Sequence, residues 1–259
     1  MKTPELLYYQ FGSGVTAFST MRSGGYSTGS YGEFNINSYC GDDAGSIQRN
    51  KVALCNMLGI DTSRLVMPHQ VHGTECLMID SQFMELPVEQ QKERLEGIDA
   101  LMTNEPGILI GVSTADCIPV LLFDKRQRIA SAIHAGWRGT VRSITKMTVM
   151  AMTERYGSRP SDILAQIGPG ISLDCFEVGD EVYEAFVNAG FYMPAISRRM
   201  EKWHIDLKEC NRRQLMDAGL PSENICVCME CTQKNGDAWF SARRQGISSG
   251  RIFTAIMMR

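Results

Sequence analysis

The residues of this chain that could bind a transition metal or act as nucleophiles are its four histidines and nine cysteines. The segment ADCIPVLLFDKRQRIASAIHAGWRG contains two apolar runs, with Cys117 at the start of the first and His134 at the end of the second. If these runs pair as a hairpin with Lys125 and Arg126 at its tip, Cys117 faces His134, with Cβ atoms about 4.5–5.5 Å apart. A sulfur and an imidazole placed in this way could share a metal ion or a proton.

Two features of the segment argue against this simple hairpin. Lys-Arg is not a favoured pair for a tight turn, and Pro119 predicts an edge strand or a bulge because proline cannot donate to a ladder. A shift of one residue in the register would also move one of the two side chains to the other face. The pairing of Cys117 with His134 is therefore a prediction that depends on the register.

Two more histidines, in PHQVHG (68–73), could supply a second imidazole. In an extended segment only one of His69 and His72 would point into a given site, and the spacing does not choose between them. His204, in KWHIDL, has no obvious partner, and we interpret it as structural. One cysteine and two histidines would make a three-ligand metal site, which in catalytic zinc proteins leaves a position for water or substrate. Copper could bind the same residues.

The same side chains permit a second chemistry. Cys117 could be a nucleophile with His134 as its base, as in a thiol hydrolase, which would leave the second histidine without a role. Asp116 is the acid nearest in sequence and a candidate proton shuttle, but as the neighbour of Cys117 on a strand it should point to the opposite face. CVCMEC (226–231) is a weaker metal candidate because no second cysteine pair lies nearby, and packed free thiols are the favoured interpretation.

Arginines next to glycines are candidates for binding phosphate, because a guanidinium group matches the geometry of a phosphate. These candidates are Arg22 in TMRSGGYS, Arg138 in GWRG, and Arg243 and Arg244 in SARRQG. Each could also be a surface residue in a turn, so the assignment depends on where the fold places it.

The positions of these residues depend on helices and strands that the sequence pattern predicts. Amphipathic segments ended by glycine predict helices over 45–59, 140–157, 179–190 and 206–219. Apolar or β-branched runs predict strands over 107–113, 117–123, 128–134, 163–167, 225–229 and 252–258. Because helices and strands alternate irregularly, we expect an α/β fold, a single domain over residues 1–259 with mixed β-sheets flanked by helices. The sequence contains neither GxGxxG nor a Walker loop, which argues against those nucleotide sites.

The composition argues against several classes of protein. The net charge of −3 and the pI near 5.9 give no basic footprint, so we expect no nucleic-acid partner. No apolar run approaches the roughly 18 residues of a membrane span, and the N-terminus lacks the apolar core of a signal peptide, so we expect no membrane association. An odd number of scattered cysteines favours free thiols in a reducing, cytoplasmic compartment. The sequence does not choose between a monomer and a homodimer.

A set of motifs occurs in the chain in an order that is specific to one family. They are FSTMRSGGYS, NINSYCGDD, QVHG, DALMTNEPG, ADCIPVLL, HAGWRG, IGPGISLDCFEVG and CTQKNGDAWFSARRQG followed by GR. From about residue 10 to its C-terminus the chain thus resembles the laccase-like polyphenol oxidoreductase family, whose bacterial members are regarded as zinc-dependent purine nucleoside phosphorylases.

The resemblance implies an α/β fold shared with cytotoxic-necrotizing-factor-like cysteine hydrolases, and a zinc ion held by His72, Cys117 and His134. It implies phosphorolysis of adenosine, inosine, guanosine and methylthioadenosine to the free base and ribose 1-phosphate, with adenosine deamination as a side activity. An older description of the family is a copper-dependent polyphenol oxidase. The chain departs from the family at Lys51, where similar sequences carry arginine, and at Gly170, where they often carry cysteine. The first departure puts the phosphate contacts in doubt.

Overall fold

The computed structural model describes residues 2–259, over which three β-sheets combine with helices in a mixed α/β fold, as predicted. The strands are β1 (Leu6–Tyr9), β2 (Val15–Thr20), β3 (Leu65–Val66), β4 (Cys76–Met78), β5 (Ala100–Thr103), β6 (Leu109–Thr114), β7 (Ile118–Asp124), β8 (Ile129–Ala135), β9 (Ile163–Ile167), β10 (Glu177–Val178), β11 (Ser197–Arg199), β12 (Trp203–Ile205), β13 (Ile225–Val227) and β14 (Ile252–Met258). The helices are α1 (Ala44–Leu58), α2 (Ser81–Glu85), α3 (Val88–Arg94), α4 (Trp137–Val141), α5 (Ile144–Tyr156), α6 (Asp180–Asn188), α7 (Met193–Ile196), α8 (Leu207–Asp217) and α9 (Ala242–Gln245). Short 3₁₀ turns occur at Gly29–Tyr31, Thr62–Arg64, Pro160–Asp162 and Ser222–Asn224.

The two larger sheets pack against each other, and helices cover the outer face of the first. The first sheet has the strand order β13-β9-β7-β8-β5-β4 and the second β1-β2-β14-β6-β3, while β10-β12-β11 form a small third sheet. In β7, Ile118, Val120 and Leu122 pack with residues of α5 and α8. Leu121 and Phe123 point the other way and pack against the second sheet. Burial on both faces is the reason why this strand is a continuous apolar run rather than an alternating one.

The predicted helices 45–59, 179–190 and 206–219 are confirmed as α1, α6 and α8. α1 begins after Asp43, whose carboxylate accepts a hydrogen bond from Ser46 N at 2.7 Å, and ends at a glycine in the left-handed conformation. The stop signals at the helix ends act over a few residues, so they can be recognised in the sequence.

The predicted helix 140–157 is divided into α4 and α5. The break lies at Ser143, which has a φ of 62°. The carbonyl oxygen of Thr140 accepts hydrogen bonds from Gln214 Nε2 of α8 at 2.7 Å and from Ser143 N at 2.9 Å. α4 ends one residue later, at Val141. The break therefore lies where a side chain more than seventy positions away binds the backbone of α4.

The six predicted strands are confirmed as β6, β7, β8, β9, β13 and β14, with bounds within two residues. The pattern missed β1 to β5 and β10 to β12. Except for β2, these strands have four residues or fewer, which is too short to show an alternation. No helix in the part of the chain that the structure describes is long and apolar enough to cross a membrane.

The hairpin of β7 and β8 has a different register from the one predicted. Pro119, not Cys117, lies opposite His134, and the connection comprises residues 125–128 rather than a two-residue tip. Asp124 Oδ1 accepts hydrogen bonds from two N–H groups of this loop at 2.8 and 2.9 Å, which stabilises the longer connection. The shift amounts to two residues. Because side chains alternate along a strand, an even shift keeps Cys117 and His134 on the same face.

Pro119 lies in a central strand, and the prediction of an edge or a bulge is wrong. β7 pairs with both β8 and β9, and the ladder with β9 begins at Val120. The Pro119 carbonyl accepts a hydrogen bond from Gly168 N at 2.8 Å, just beyond the end of β9. The proline ring therefore occupies the end of the ladder, where its missing N–H removes no bond between strands.

Candidate functional site

His72, Cys117 and His134 form a compact group where β7 begins and β8 ends, and we call it the His–Cys–His cluster. Their candidate ligand atoms all lie within 4.8 Å of one another, and among residues 2–259 no other three such side chains do so. Cys117 Sγ lies 3.7 Å from His72 Nε2, and the two imidazole centroids are 4.8 Å apart. Zinc binds thiolate at about 2.3 Å and imidazole at about 2.0 Å, so donors roughly 3.5 Å apart suit one ion. The donor set therefore fits a three-ligand metal site.

The backbone next to the cluster has positive φ at two residues that are not glycine. His72, in the loop between β3 and β4, has a φ of 62°, and Asp116, directly before Cys117, has a φ of 88°. Such conformations cost on the order of 1–3 kcal/mol and persist where neighbouring contacts hold them. The His72 carbonyl accepts a hydrogen bond from Arg142, and the Asp116 carbonyl accepts one from Ile171 N at 2.9 Å. These bonds fix the direction in which the ligands leave the backbone.

Gly136, two residues after His134, provides space for the cluster. A methyl group built on Gly136 would lie 2.7 Å from His72 Cδ2 and 3.1 Å from Cys117 Sγ. The φ of Gly136 is −68°, which any residue can adopt, so the glycine is required for the close approach of His72 and not for its backbone conformation.

Asp99 is a buried carboxylate that connects two residues of the cluster. Asp99 Oδ1 lies 2.7 Å from His134 Nδ1 and accepts a hydrogen bond from His72 N at 3.0 Å. Asp99 Oδ2 accepts from Gly73 N at 2.6 Å and from Val71 N at 3.2 Å. Because an ionised carboxylate only accepts, His134 Nδ1 carries the hydrogen, and Nε2 is the nitrogen available to a ligand or a metal.

Asp99 stays charged although it is fully buried. Burial would raise the pKa of this carboxyl, but the hydrogen bond and charge of His134, together with the N–H groups of Gly73 and Val71, lower the pKa below its usual value. Asp99 is the first residue of the motif DALMTNEPG, directly before the apolar strand β5, but neither its residue type nor its spacing assigned it a role at the site.

Cys117 and His134 shift each other's pKa in opposite directions. Burial would raise the pKa of the Cys117 thiol, but the charge of His134 and hydrogen bonds from His134 and His72 lower it from 9.0 to about 6. Burial would lower the pKa of His134, but the charge of Cys117 and the hydrogen bond to Asp99 raise it from 6.5 to about 9. Without a metal, the pair is therefore a thiolate and an imidazolium at neutral pH.

The cluster lines a cavity of about 270 Å³. Other side chains in its wall include Tyr39, His69, Gln70, Ser113, Ile247 and Arg251. A larger cavity of about 1070 Å³, which includes Lys51 and Arg64 in its wall, contains no member of the cluster. Volume alone would favour the larger cavity, but the smaller one holds the donor atoms and the shifted pKa values, so we assign the candidate site to it.

The four arginines that the sequence analysis selected do not line this cavity. Arg22 donates hydrogen bonds to carbonyl oxygens of two loops, and Arg243 donates to the carbonyl of Glu177 in β10. Arg138 lies 4.2 Å above the indole ring of its neighbour, and Arg244 lies 3.9 Å from an aspartate. Arg251, which the sequence analysis does not single out, is in the cavity wall instead. It belongs to the GR pair that closes the last motif.

The carboxylate of Asp116 has partners within the protein. Asp116 Oδ1 accepts a hydrogen bond from Thr232 Oγ1 at 2.6 Å, and Oδ2 accepts one from Arg243 N at 2.7 Å, at the start of α9. Asp116 does not line the cavity. The Asp116 side chain therefore points away from the cluster, as expected for the residue next to Cys117. It anchors Thr232 and the start of α9 beside the cluster.

The other histidines lie outside the cluster. His69 Nδ1 lies 2.7 Å from Glu96 Oε1, and the His69 ring stacks on Tyr39. His204 is buried in β12, with Nδ1 3.0 Å from the carbonyl oxygen of Leu173, which agrees with a structural role. The cysteines of CVCMEC join no metal-binding group of three among the described side chains, and they are free thiols.

Comparison with known proteins gives consistent matches over nearly the whole chain. A family model described as multi-copper polyphenol oxidoreductase laccase matches residues 16–259. The chain is 46% identical over 249 residues to a purine nucleoside phosphorylase of Bacteroides thetaiotaomicron, covering 95% of this chain and 92% of that protein. It is 45% identical over 246 residues to adenosine deaminase RL5 of an unknown prokaryotic organism, covering 94% of each. The crystal structure of hypothetical protein YfiH from Bacillus licheniformis aligns with a TM-score of 0.92 at 27% identity, covering 99% and 97% of the two chains.

Substitution of Asp99 by asparagine should weaken both the fold and the cluster. The amide NH2 would face N–H groups and leave a buried donor without a partner, so we expect the free energy of unfolding to fall by about 1–3 kcal/mol in urea titrations. Zinc affinity, measured by competition with a chromophoric chelator, should fall roughly 10–100-fold. Asp124→Asn is a matched control, since Asp124 is equally buried at the far end of β7. Zinc affinity equal to that of the wild type in Asp99→Asn would contradict the role assigned to this carboxylate.

Substitution of Gly136 by alanine should impair metal binding while the fold persists. The new methyl group would lie 2.7 Å from His72 Cδ2, so His72 must move away from Cys117. We expect zinc affinity to fall by at least about tenfold, with an unchanged circular dichroism spectrum. Gly45→Ala is the control, because its methyl group would meet only an oxygen of the Asp43 side chain at 3.3 Å. Unaltered zinc binding in Gly136→Ala would show that His72 does not need this space.

The rate of alkylation of Cys117 should follow the fraction of its side chain that is thiolate. In metal-free protein the rate of reaction with iodoacetamide should rise through a pH of about 6, because the pKa of Cys117 is lowered and the thiolate forms above that pH. One equivalent of zinc should slow this reaction. Mass spectrometry locates the modified residue, with Cys117→Ala as the control. A rate that rises only near pH 9 would disprove the ion pair with His134.

Proposed function

The chain belongs to the multi-copper polyphenol oxidoreductase laccase family, and from this premise we propose that it is a zinc-dependent purine nucleoside phosphorylase. The proposed reaction is cleavage of the N-glycosidic bond of adenosine, inosine, guanosine or methylthioadenosine by phosphate. Adenosine deamination is a proposed side activity, in line with the name of the relative that is 45% identical. The observation that carries the proposal is the His–Cys–His cluster in the wall of a cavity.

Zinc held by His72, Cys117 and His134 would act as a Lewis acid beside the bound nucleoside. Cys117 reaches the thiolate state near neutral pH, so it can serve as a ligand without a strong base. Asp99 binds His134 Nδ1 and thereby directs Nε2 toward the cavity. The Cys117 thiolate would neutralise one of the two positive charges of a divalent ion, because the two histidine ligands are neutral. The site would therefore keep one positive charge, which favours a substrate group that becomes negative during the reaction.

Phosphate requires cationic or N–H donors close to the cluster. We propose Arg251 for this role, because it lies in the cavity wall. Its Nη1 donates to carbonyl and hydroxyl oxygens of Ser249, and its Nη2 donates to the carbonyl of Ile247, so the guanidinium is held by its own loop. Arg138 and Arg244 remain proposals that would require a movement toward the cavity. Arg22 and Arg243 also lie outside the cavity wall, and to reach phosphate they would have to give up hydrogen bonds to carbonyl oxygens of other segments.

A thiol hydrolase is the second candidate function. Cys117, His134 and Asp99 have the relation of nucleophile, base and orienting acid, and the lowered pKa of Cys117 favours a reactive thiolate. In that case His72 would have no direct part in the chemistry. Copper is a second candidate for the metal, because the same donors bind it and the family description names it. Elemental analysis of the purified protein distinguishes zinc, copper and no metal.

A panel of nucleosides, tested with and without phosphate, examines the proposed function. Base release should require phosphate and should fall in Cys117→Ala by more than the roughly 10–100-fold typical of outer-shell substitutions, because a ligand itself is lost. Cys226→Ala is the control, since Cys226 is exposed and outside the cavity. Chelation of the metal should abolish activity and added zinc should restore it. A rate of base release that is the same without phosphate and in Cys117→Ala would disprove the phosphorylase proposal. Full activity in the presence of chelator would favour the thiol hydrolase.

A further inference from the structure

An aromatic pair lies in the cavity wall beside the cluster and has no part in metal binding. The rings of Tyr39 and His69 are nearly parallel, with centroids 4.0 Å apart and an interplanar angle of 17°. Both residues line the cavity of the cluster, and Tyr39 also lies in the wall of the neighbouring larger cavity. His69 covers one face of the Tyr39 ring, and the Tyr39 residue is still 49% exposed. We call these two residues the aromatic platform.

The aromatic platform is held in place from both sides by hydrogen bonds. His69 Nδ1 lies 2.7 and 2.8 Å from the two carboxylate oxygens of Glu96, and because a carboxylate only accepts, Nδ1 donates. His69 N donates to the carbonyl of Leu95 at 3.0 Å, and the His69 carbonyl accepts from Gly97 N at 3.0 Å. Tyr39 N donates to the side chain of a nearby asparagine at 2.7 Å. A surface that is ordered before a ligand arrives loses little entropy on binding.

The chemistry of the platform fits a flat aromatic ligand. Ile247, whose residue is 82% exposed, lies in the wall of the same cavity and offers a second apolar surface. The side chains of Gln70 and of the cluster in that wall are polar. A free tyrosine face next to a polar pocket suits a molecule with a flat base at one end and a polar sugar at the other. Stacking of a base on an aromatic side chain changes affinity by roughly 5- to 150-fold.

We propose that Tyr39, supported by His69, is the stacking surface for the base of the nucleoside and a determinant of the preference for purines. This inference rests on the proposed function, because it identifies how the same cavity recognises its substrate. The two fused rings of a purine overlap the tyrosine more than the single ring of a pyrimidine does.

Kinetics of Tyr39 variants test this assignment. At saturating phosphate, Tyr39→Ala should raise the KM for inosine about tenfold, since stacking is lost, while kcat and the KM for phosphate change less than about twofold. Tyr39→Phe should keep the wild-type KM because the ring remains. The ratio of kcat/KM for inosine to that for uridine should fall in Tyr39→Ala. Tyr192→Ala is the control, because Tyr192 is 68% exposed and lies outside the cavity.

Calorimetric binding of inosine to the same zinc-loaded proteins separates this inference from the proposed function. If the wild type releases no base, the phosphorylase proposal fails, and about tenfold weaker inosine binding by Tyr39→Ala still supports the platform. Equal inosine affinity in the wild type and Tyr39→Ala overturns the platform, whether or not the enzyme turns over. An equal rise in the KM for phosphate also overturns it, because the substitution would then have disturbed the cavity as a whole.

Discussion

The hydrogen bond between the buried carboxylate of Asp99 and His134 is the interaction on which the site depends. The same carboxylate accepts N–H groups from the loop that carries His72, so one charge fixes two donors from separate segments. An ionised carboxylate without these partners would be very unfavourable in the interior. The loop can therefore pack against β5 only with its N–H groups directed at Asp99, and that arrangement brings His72 to Cys117 and His134.

The charges of the cluster support two chemistries with the same atoms. Without a metal, Cys117 and His134 stabilise each other as a thiolate and an imidazolium. A metal ion competes with the proton of His134, because a histidine ligand must be neutral, whereas Cys117 is already deprotonated. Asp99 binds His134 Nδ1 in the metal-free protein, and with a metal on Nε2 the same hydrogen bond would keep the ring in one orientation. The same three side chains therefore offer either a set of metal ligands or a thiolate–imidazolium pair.

One loop carries residues of both the candidate metal site and the proposed recognition of the base. His72 turns into the cluster with a positive φ, and His69, three residues earlier, supports Tyr39 at the edge of the cavity. Asp99 and Glu96 are close in sequence and each binds one part of this loop. The segment before β5 thus positions both histidines, and Gly136 keeps the space between the loop and β8 open. The His–Cys–His cluster and the aromatic platform therefore each take one histidine from this loop.

The sequence by itself determined the parts of this protein that depend on neighbouring residues. Capping and glycine stops gave α1, α6 and α8, apolar runs gave β7 and β8, and alternation kept Cys117 and His134 on one face even though the register was displaced by two. Only the tertiary structure decided the rest. The loop at residues 125–128 set the register, and a helix that looks continuous in sequence breaks at Ser143, next to a contact with α8. The motif resemblance already selected His72 over His69, but the physical reason for that choice and the role of Asp99 lie in hydrogen bonds between segments about thirty residues apart. No local pattern carries such information, because a carboxylate can be buried only where the donors from other segments surround it.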